Sequence, residues 1–485
     1  MQAYLMLLDG DWVDSTSKQY IEVNNPATAE IFARVPKATP DEVAQALEAA
    51  QSAFPEWAGR SPQQRSNYLW QASDILEERK EKIGRLITQE QGKPLKEAIG
   101  EVEKAVEMLR YYAEEGKRAY GMIVANQDPQ DQSLIVKQPV GIVAALSPWN
   151  YPVELTGWKA AAALAAGCTI VAKPPSLTPL SPLEYWRCLF DAGIPKGVIN
   201  CVTGSGETVG RQLVRSPILQ KIAFTGSLEV GLDIQEQSKD TIRKISLELG
   251  GQCPLIISKN CDLISAVKGA VRRSFRNMGQ ICIAINRIYV HEAIHETFLE
   301  EFARQTQKLT IANGLEKPDA DVGPMASPEG LAKSKKHIED ALAKGARLVC
   351  GGKRPEGSEF EKGYFFEPTI LADANHEMLL MTEETFGPVV GVMTYRSLDE
   401  AIKLANDTPY GLAAYVYTND LHEMEKASKQ LEAGSVAVNN VDAGIMNAPY
   451  GGWKQSGIGF EHGHEGLEEY LHLKHIRIRF REPEQ

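Results

Sequence analysis

The middle of the chain alternates short apolar strands with helix-like segments, and this alternation constrains the fold more than any other feature. Between residues 141 and 226 the apolar runs are GIVAALSP, TIVAKP, VINCVTG and KIAFTG, separated by a small-residue helix through KAAAALAA and a second helix near residues 183–190. Repeated strand–helix–strand units predict a doubly wound parallel sheet. A second block of the same kind extends from about residue 253 to 441. We therefore expect two α/β domains.

Length, charge and hydropathy narrow the class of protein. At about 150 residues per domain, 485 residues allow between two and four domains. The formal net charge of −12 argues against a nucleic-acid binder, which needs a clustered basic face. The most apolar stretch, residues 160–172, is far shorter than the roughly 20 residues that span a bilayer, so no membrane segment is expected. Three aspartates interrupt the first fourteen residues, so no signal peptide is expected either.

The cysteine pattern predicts a reducing compartment. Seven cysteines, an odd number, form no C-x-x-C pair and lie in apolar sequence. No group of cysteines and histidines has the spacing of metal ligands. We therefore expect a cytoplasmic protein without a metal site.

The two ends of the chain carry other patterns. Capping-box starts at residues 39–42 and 61–64, and a third apolar face within residues 95–109, predict helices in the first third of the chain. Residues 119–137 are typical of a β-hairpin. Apolar residues at 476, 478 and 480 alternate with two arginines, which predicts a half-buried strand. Such a strand needs a partner, and the hairpin, from this chain or another subunit, is the expected one.

Two glycine-containing turns are candidates for phosphate binding. Gly204, Gly206 and Gly210 miss the dinucleotide-binding spacing by one residue. The next turn, FTGSLEVG, places Gly226 and Ser227 between an apolar strand and a helix, where backbone N–H groups can meet a phosphate. On the residues alone, a structural turn and a phosphate site are both compatible with this pattern.

Three polar residues have ordinary explanations when each is taken singly. Cys282 lies in the segment FRNMGQICIAINR, where an isolated thiol is usually buried and inert. Glu248 ends a strand-like run before two glycines, and Asn150 occupies a proline-flanked turn. Only their combination with the other motifs indicates a function.

Seven segments, taken in order, resemble the aldehyde dehydrogenase superfamily, and most of all its succinate-semialdehyde dehydrogenase-like members. They extend from residue 147 to 459 and are SPWNYP, AAALAAGCTIVAKPP, FTGSLEVG, LELGG, GQICIAINR, EETFGPVV and PYGGWKQSGIG. The resemblance implies an α/β fold in three parts. These are a Rossmann-like cofactor domain (residues 1–118 and 138–251), an α/β catalytic domain (252–460) and a β oligomerisation element (119–137 and 461–485). It also implies a homodimer or homotetramer.

The resemblance implies a chemistry for the three polar residues. Cys282 would attack the aldehyde carbon as a thiolate and form a thiohemiacetal. The side-chain amide of Asn150, with the backbone N–H of Cys282, would stabilise the negative oxygen of that species. Once hydride has left for a nicotinamide, Glu248 would activate the water that hydrolyses the remaining thioester to the acid.

The resemblance also implies a site for NAD or NADP. The cofactor-binding residues would be Lys173, Ser176, Trp149, Gly226, Ser227, Glu384 and Phe386. Lys173 would meet the adenosine ribose, Ser227 the pyrophosphate and Glu384 the nicotinamide ribose. Members restricted to NAD usually carry a glutamate three residues after the lysine, where this chain has Ser176. A hydroxyl can donate to a 2′-phosphate without charge repulsion, so we expect NADP to be accepted.

Two positions bear on the substrate. Arg276, six residues before Cys282, resembles the arginine with which succinate-semialdehyde dehydrogenases hold the distal carboxylate. At a second arginine position of those enzymes this chain has Trp158, as do many relatives that take neutral aldehydes. We expect a small anionic aldehyde such as succinate semialdehyde. The alternative is a sulfonated or hydroxylated C2–C3 aldehyde (sulfolactaldehyde, sulfoacetaldehyde, lactaldehyde) or a neutral aldehyde. For Arg276 itself the alternative is a salt-bridged scaffold residue.

Two other functions share this fold. A member that passes the thioester to a thiol or phosphate does not need the base that Glu248 provides. A non-catalytic nucleotide-binding protein does not need Cys282, Glu248 and Asn150 together. The sequence therefore favours NAD(P)-dependent oxidation of an aldehyde.

Overall fold

A largely parallel sheet organises the first half of the molecule, whose computed structural model describes residues 2–480. In spatial order its eight strands are Gly457–Ile458, Lys244–Glu248, Lys221–Thr225, Ile142–Leu146, Thr169–Lys173, Ile199–Cys201, Met6–Leu8 and Asp11–Val13. The five strands from Lys244–Glu248 to Ile199–Cys201 are parallel, and the outer ones are antiparallel to their neighbours. The chain order reverses beside Ile142–Leu146. In such sheets a ligand crevice opens at the carboxyl ends of the strands at this point.

Both faces of this sheet are buried, as expected for a doubly wound fold. Along the strand Ile142–Leu146, Val143 and Ala145 belong to one apolar core, and Ile142, Ala144 and Leu146 belong to another. The larger core is covered by the helices Pro62–Glu78, Lys80–Gln91, Leu95–Glu115, Glu154–Ala166 and Leu180–Asp191. The smaller core is covered by the helices Pro40–Gly59, Arg211–Arg215 and Leu228–Gln237. Capping boxes at Thr39 and Ser61 start the first two helices of the chain, which confirms the predicted starts.

The amino-terminal segment differs from the sequence-based expectation. Before its first helix the chain forms the strands Gln2–Ala3, Met6–Leu8, Asp11–Val13, Tyr20–Asn25 and Glu30–Pro36. Three of them, Gln2–Ala3, Glu30–Pro36 and Tyr20–Asn25, form a small sheet of their own. Several of these strands have only two or three residues, which is too short for an alternating pattern to emerge.

A second, seven-stranded sheet forms the other half. Its strands in spatial order are Arg347–Cys350, Thr369–Ala372, Val389–Tyr395, Ile285–His291, Cys253–Ile257, Ala413–Tyr417 and Ser435–Val438. All neighbouring strands are parallel except the first pair. The accompanying helices are Leu263–Phe275, His295–Thr306, Pro328–Ala343, Leu379–Thr382, Leu398–Asn406 and Leu421–Gln430. The two sheets confirm the predicted α/β fold.

The last strand of the chain pairs with the predicted hairpin of the same chain. Leu471–Arg479 is antiparallel to Asp131–Pro139, which is paired in turn with Met122–Val124. Phe480 lies one residue beyond the strand, and its backbone N–H donates to the carbonyl of Gln130 (2.9 Å). Residues 481–485 of the expected oligomerisation element lie outside the described residues. The remaining α-helix within residues 2–480 is Gly463–Glu468, and Tyr410–Gly411 pairs with Trp453–Lys454 in a two-stranded sheet.

Residues 2–480 contain neither a membrane-spanning helix nor a cluster of metal ligands. Within residues 2–480, every helix is too short or too polar to cross a membrane. The same part of the chain contains no cluster of three or more His, Cys, Asp or Glu side chains suited to a metal ion.

Candidate active site

Four of the residues singled out in the sequence line one cleft. The cleft has a volume of about 940 Å³, and its walls include Asn150, Trp158, Arg276 and Cys282. Asn150 follows a central strand of the first sheet, while Arg276 and Cys282 precede the strand Ile285–His291 of the second. The cleft is therefore lined by loops that connect to strands of both sheets.

A left-handed turn presents Cys282. Asn277, Met278 and Gly279 have φ angles of 48°, 58° and 68°. A Cβ atom on Gly279 would lie 2.2 Å from the carbonyl oxygen of Gly387, so only glycine fits there. Left-handed φ angles are costly for residues that carry a Cβ atom, so contacts from the rest of the structure must hold this turn.

The Cys282 sulfur lies 3.5 Å from the hydroxyl oxygen of Tyr450. Burial, followed by the negative charge of Glu248, raises the pKa of the thiol well above its ordinary value, and the Tyr450 hydroxyl opposes that rise. Cys282 is therefore a neutral thiol at rest. A base must remove its proton before it can act as a nucleophile.

Hydrogen bonds hold both the side chain and the backbone carbonyl of Asn150. Its side-chain Nδ2 donates to the carbonyl of Gln280 (3.0 Å), two residues before Cys282. Its own backbone carbonyl accepts from Lys93 Nζ (2.7 Å) and from Asn277 Nδ2 (3.1 Å). Because an amide nitrogen carries two hydrogens, one N–H of Asn150 remains for a ligand in the cleft.

Glu248 is a buried carboxylate near the Cys282 thiol and has no partner at ordinary hydrogen-bond distance within residues 2–480. It ends the strand Lys244–Glu248 with 3% of its surface exposed, and neither carboxylate oxygen has a partner within residues 2–480. Burial raises its pKa to about 7, and the nearby Lys159 ammonium limits that rise. Lys159 itself donates to Thr225 Oγ1 (2.6 Å) and Glu461 Oε1 (3.0 Å). A carboxylate with this pKa can take and release a proton near neutral pH.

The predicted adenosine-side residues lie together after the strand Thr169–Lys173. Lys173 is buried, and burial lowers its pKa to about 8. Its ammonium makes one hydrogen bond to the described residues, to the carbonyl of Pro174 (2.9 Å). Ser176 Oγ donates to the carbonyl of Gly204 (3.1 Å). Two N–H groups of the ammonium thus remain for a ligand.

Gly226 and Ser227 form the turn before the helix Leu228–Gln237. A Cβ atom on Gly226 would lie 2.3 Å from the Phe224 ring, so the turn requires glycine. Ser227 is the N-cap, and its Oγ accepts from the backbone N–H of Val230 (3.4 Å). The positive end of the helix dipole favours an anion here, although the N–H of Val230 is already bound to Ser227.

Glu384 and Phe386, which are predicted to lie on the nicotinamide side of the site, contact the segments after Glu248 and before Asn150. Glu384 Oε1 accepts from the backbone N–H of Gly251 (2.9 Å), and burial raises the pKa of this carboxyl to about 7. Phe386 packs edge-on against Trp149, with ring centroids 5.4 Å apart. Glu384 and Phe386 therefore lie between the two loops that carry Glu248 and Asn150.

Arg276 forms a salt bridge and also lines the cleft. Its Nε donates to Glu97 Oε1 (2.9 Å), which also accepts from the hydroxyl of Tyr151 (2.6 Å). The two Nη atoms make no hydrogen bond to residues 2–480, and 35% of the side chain is exposed. Both interpretations of Arg276 thus have a physical basis, because one side of the guanidinium is anchored and the other is free.

Trp158 belongs to an uncharged aromatic wall. Its ring packs against Tyr450 and His462, with centroid distances of 5.4 Å and 4.1 Å. Burial lowers the pKa of His462 to about 4, so the imidazole is neutral at physiological pH. This wall offers apolar contact rather than a second cation.

Comparison with known proteins agrees with this geometry. Residues 12–476 match the model of the aldehyde dehydrogenase family. The chain belongs to this family. The resemblance predicted from seven sequence segments is thereby confirmed over nearly the whole chain, and the protein is an oxidoreductase.

Individual aldehyde dehydrogenases match over nearly their whole length. The chain is 43% identical to a glutarate-semialdehyde dehydrogenase of Pseudomonas aeruginosa, with 98% of this chain and 97% of the relative covered. It is 41% identical to a succinate-semialdehyde dehydrogenase of Escherichia coli whose name specifies NADP(+), with 97% of each covered. The crystal structure of an NADP-dependent enzyme of E. coli superposes with a TM-score of 0.96 at 40% identity, covering 99% of this chain and 98% of the other.

The aldehyde dehydrogenase site contains residues that the sequence analysis did not single out. Lys159 is a lone charge among the buried positions of the helix Glu154–Ala166, and a lysine inside an alanine-rich run was a usable signal. Tyr450 lies within PYGGWKQSGIG, which supported the resemblance without suggesting a role for this side chain. His462 lies just beyond that segment and carried no signal.

Proposed function

We propose that this aldehyde dehydrogenase oxidises a small anionic aldehyde of the semialdehyde type to its carboxylic acid, with NAD(P) as hydride acceptor and Cys282 as nucleophile. The observation that carries the proposal is the placement of the Asn150 amide and the unpaired Glu248 carboxylate around the Cys282 thiol. A nucleophile, an oxyanion donor and a base are the groups that thioester chemistry requires.

The attack on the aldehyde uses Cys282, Glu248 and Asn150. Glu248 takes the thiol proton, and the sulfur bonds to the aldehyde carbon to give a thiohemiacetal. The free N–H of the Asn150 amide, with the backbone N–H of Cys282, donates to the oxygen that becomes negative. Donors fixed in advance stabilise that charge without reorganising, and each typically contributes about a hundredfold or more in rate.

Hydrolysis of the thioester uses Glu248 a second time. Glu248 first releases the thiol proton to solvent. As a carboxylate it then takes a proton from the attacking water and passes it to the sulfur as the carbon–sulfur bond breaks, so that the carboxylic acid leaves and Cys282 is again a thiol. Its pKa of about 7, raised by burial, makes it a stronger base than an exposed carboxylate. The positive charge of Lys159 keeps part of the population ionised at neutral pH.

The residues present fit a dinucleotide. Lys173 has two unused donors. Ser176 follows it by three residues and bonds the Gly204 carbonyl, and Gly226 brings no side chain to the start of the helix that Ser227 caps. A nicotinamide bound on the side of Glu384 and Phe386 supplies the hydride acceptor. Ser176 brings no negative charge toward a 2′-phosphate, so NADP should bind at least as well as NAD. The NADP named for two similar proteins supports this choice.

The substrate class rests on Arg276 and on the similar proteins. The free Nη atoms of Arg276 suit a carboxylate, which accepts two parallel hydrogen bonds from a guanidinium. Two similar enzymes carry the names of glutarate and succinate semialdehydes, both of which end in a carboxylate. The aromatic wall at Trp158 suits the short apolar linker between carboxylate and aldehyde.

A substrate panel tests the proposal. NADPH and NADH formation would be followed with succinate semialdehyde, glutarate semialdehyde, sulfolactaldehyde, lactaldehyde and butanal, with Cys282→Ala as the blank. We expect the highest kcat/KM with a dicarboxylic semialdehyde and no activity in the variant. Equal kcat/KM for butanal would refute the substrate class, activity in Cys282→Ala would refute the nucleophile, and no cofactor reduction with any aldehyde would refute the function.

A further inference from the structure

Lys93 is a fully buried lysine directly behind the oxyanion donor. Its ammonium donates to Glu101 Oε2 (2.6 Å) and to the backbone carbonyl of Asn150 (2.7 Å). It also lies 3.4 Å from the centre of the Tyr151 ring. The side chains of Lys93 and Glu101 both have 0% exposure. Two hydrogen-bond acceptors and a π-face thus surround this ammonium, and none of them is solvent.

The partners of Lys93 extend to both catalytic loops. Glu101 Oε1 accepts from the backbone N–H of Val153, just after Asn150 (2.8 Å). Asn277, in the left-handed turn before Cys282, donates its Nδ2 to the same Asn150 carbonyl that Lys93 binds (3.1 Å). The Asn150 peptide is therefore held between a buried ammonium on one side and the cysteine turn on the other.

Gln91 completes this arrangement. Its Nε2 donates to Asn277 Oδ1 (3.0 Å), and its Oε1 accepts from the backbone N–H of Lys93 (2.9 Å). The last residue of the helix Lys80–Gln91 thus binds the turn that carries Cys282, and Lys93, just after the helix, binds the loop that carries Asn150.

We propose that Lys93 is a positioning residue for oxyanion stabilisation: it fixes the Asn150 peptide so that the side-chain amide faces the reacting oxygen at Cys282. The inference rests on the proposed role of Asn150. A buried ion pair contributes little net stability, because both charges lose their water. Its main structural consequence here is the orientation of Asn150. A displacement of that amide by about 1 Å is enough to lower a rate by about a hundredfold.

The test removes the charge pair without leaving a buried charge unpaired. The variant Lys93→Met/Glu101→Gln keeps an Oε1 acceptor for Val153. It is compared with Asn150→Ala and with the triple variant Lys93→Met/Glu101→Gln/Asn150→Ala. The control is Lys82→Met/Glu184→Gln, which removes a lysine–glutamate pair (2.7 Å) away from the cleft. The readouts are kcat and KM for succinate semialdehyde with NADP, and the rate at which iodoacetamide alkylates Cys282. Alkylation needs the thiolate but forms no oxyanion.

The expected pattern separates positioning from general damage. We expect kcat of the pair variant to fall between about tenfold and a hundredfold, while KM and the alkylation rate stay within about twofold. The triple variant should match Asn150→Ala, since Lys93 acts through Asn150. The control pair should keep the wild-type kcat.

Several results would overturn the inference. The first is a wild-type kcat in the pair variant, and the second is an alkylation rate that falls together with kcat. The third is a triple variant whose kcat falls by the product of the losses seen in the pair variant and in Asn150→Ala. A wild-type kcat in Asn150→Ala would instead refute the proposed oxyanion donor, and the inference with it. Asn277→Gly, which suits the φ of 48° and changes no charge, gives an independent check, because it should lower kcat severalfold at unchanged alkylation rate.

Discussion

The hydroxyl of Tyr450 lies 3.5 Å from the sulfur of Cys282 and lowers the pKa of a thiol that burial and Glu248 raise. Burial also raises the pKa of Tyr450 well above its ordinary value, so this hydroxyl stays protonated. Tyr450 can therefore donate to a thiolate but cannot act as its base. We propose a division of labour in which Glu248 removes the proton and Tyr450 stabilises the anion that remains.

Tyr450→Phe tests this division. The thiolate loses a charge-assisted hydrogen bond, typically worth about 1.5 kcal/mol or more, so its pKa rises. We expect the alkylation of Cys282 by iodoacetamide to slow about tenfold at neutral pH and its pH profile to move to higher pH. Tyr395→Phe is the matched control, because its hydroxyl donates to the Ile257 carbonyl in the second sheet (3.1 Å). An unshifted profile in Tyr450→Phe would rule out the stabilising role.

The pKa of Glu248 predicts the acid limb of the activity profile. The base acts as a carboxylate, and burial raises its pKa to about 7, so kcat should fall as the pH drops below about 7. Glu248→Gln should remove the limb. Both the deprotonation of Cys282 and the hydrolysis of the thioester then lack their base, so we expect a slow burst of reduced cofactor followed by still slower turnover, because water is a weaker nucleophile than the thiol. Rapid-mixing measurements of the burst amplitude check this. A variant that turns over at the wild-type rate without a burst would contradict the assignment.

Periodic patterns explain why most of the fold could be predicted. The parallel strands of the first sheet are fully buried, so each is a continuous apolar run that stands out from the helices around it. The strands before residue 37 lack that contrast, because most are short and part of their surface is exposed. The register of the last strand against Asp131–Pro139 depends on tertiary contacts and could not be read from the sequence.

The site was predictable in composition but not in geometry. The motifs identified Cys282, Asn150 and Glu248, yet nothing in them indicates that Glu248 has no hydrogen bond or that Lys93 binds the Asn150 carbonyl. Lys93 and Asn150 lie 57 positions apart and meet only in the folded chain, and the surroundings of Glu248 are likewise set only by folding. Arg276 shows the same limit, since its salt bridge to Glu97 crosses 179 positions.

Arg276→Ala tests the anion site. Loss of two hydrogen bonds to a carboxylate should raise KM for succinate semialdehyde at least about tenfold and change KM for butanal by less than about twofold. Arg272→Ala is the matched control, because Arg272 lines the same cleft but both of its Nη atoms bind Asp442 (3.0 and 2.9 Å). Equal effects of Arg276→Ala on both aldehydes would assign this arginine to the scaffold through its bond to Glu97.

Ser176→Glu tests the cofactor site. A carboxylate at this position would face the 2′-phosphate of NADP, and like charges in close contact cost several kcal/mol. We expect kcat/KM with NADP to fall at least about a hundredfold, while kcat/KM with NAD stays within about threefold because its ribose hydroxyls can donate to a carboxylate. Ser176→Gln has the same size without the charge and should retain most of the NADP activity. If glutamine lowers NADP activity as much as glutamate does, the effect is steric, and the electrostatic explanation for NADP acceptance fails.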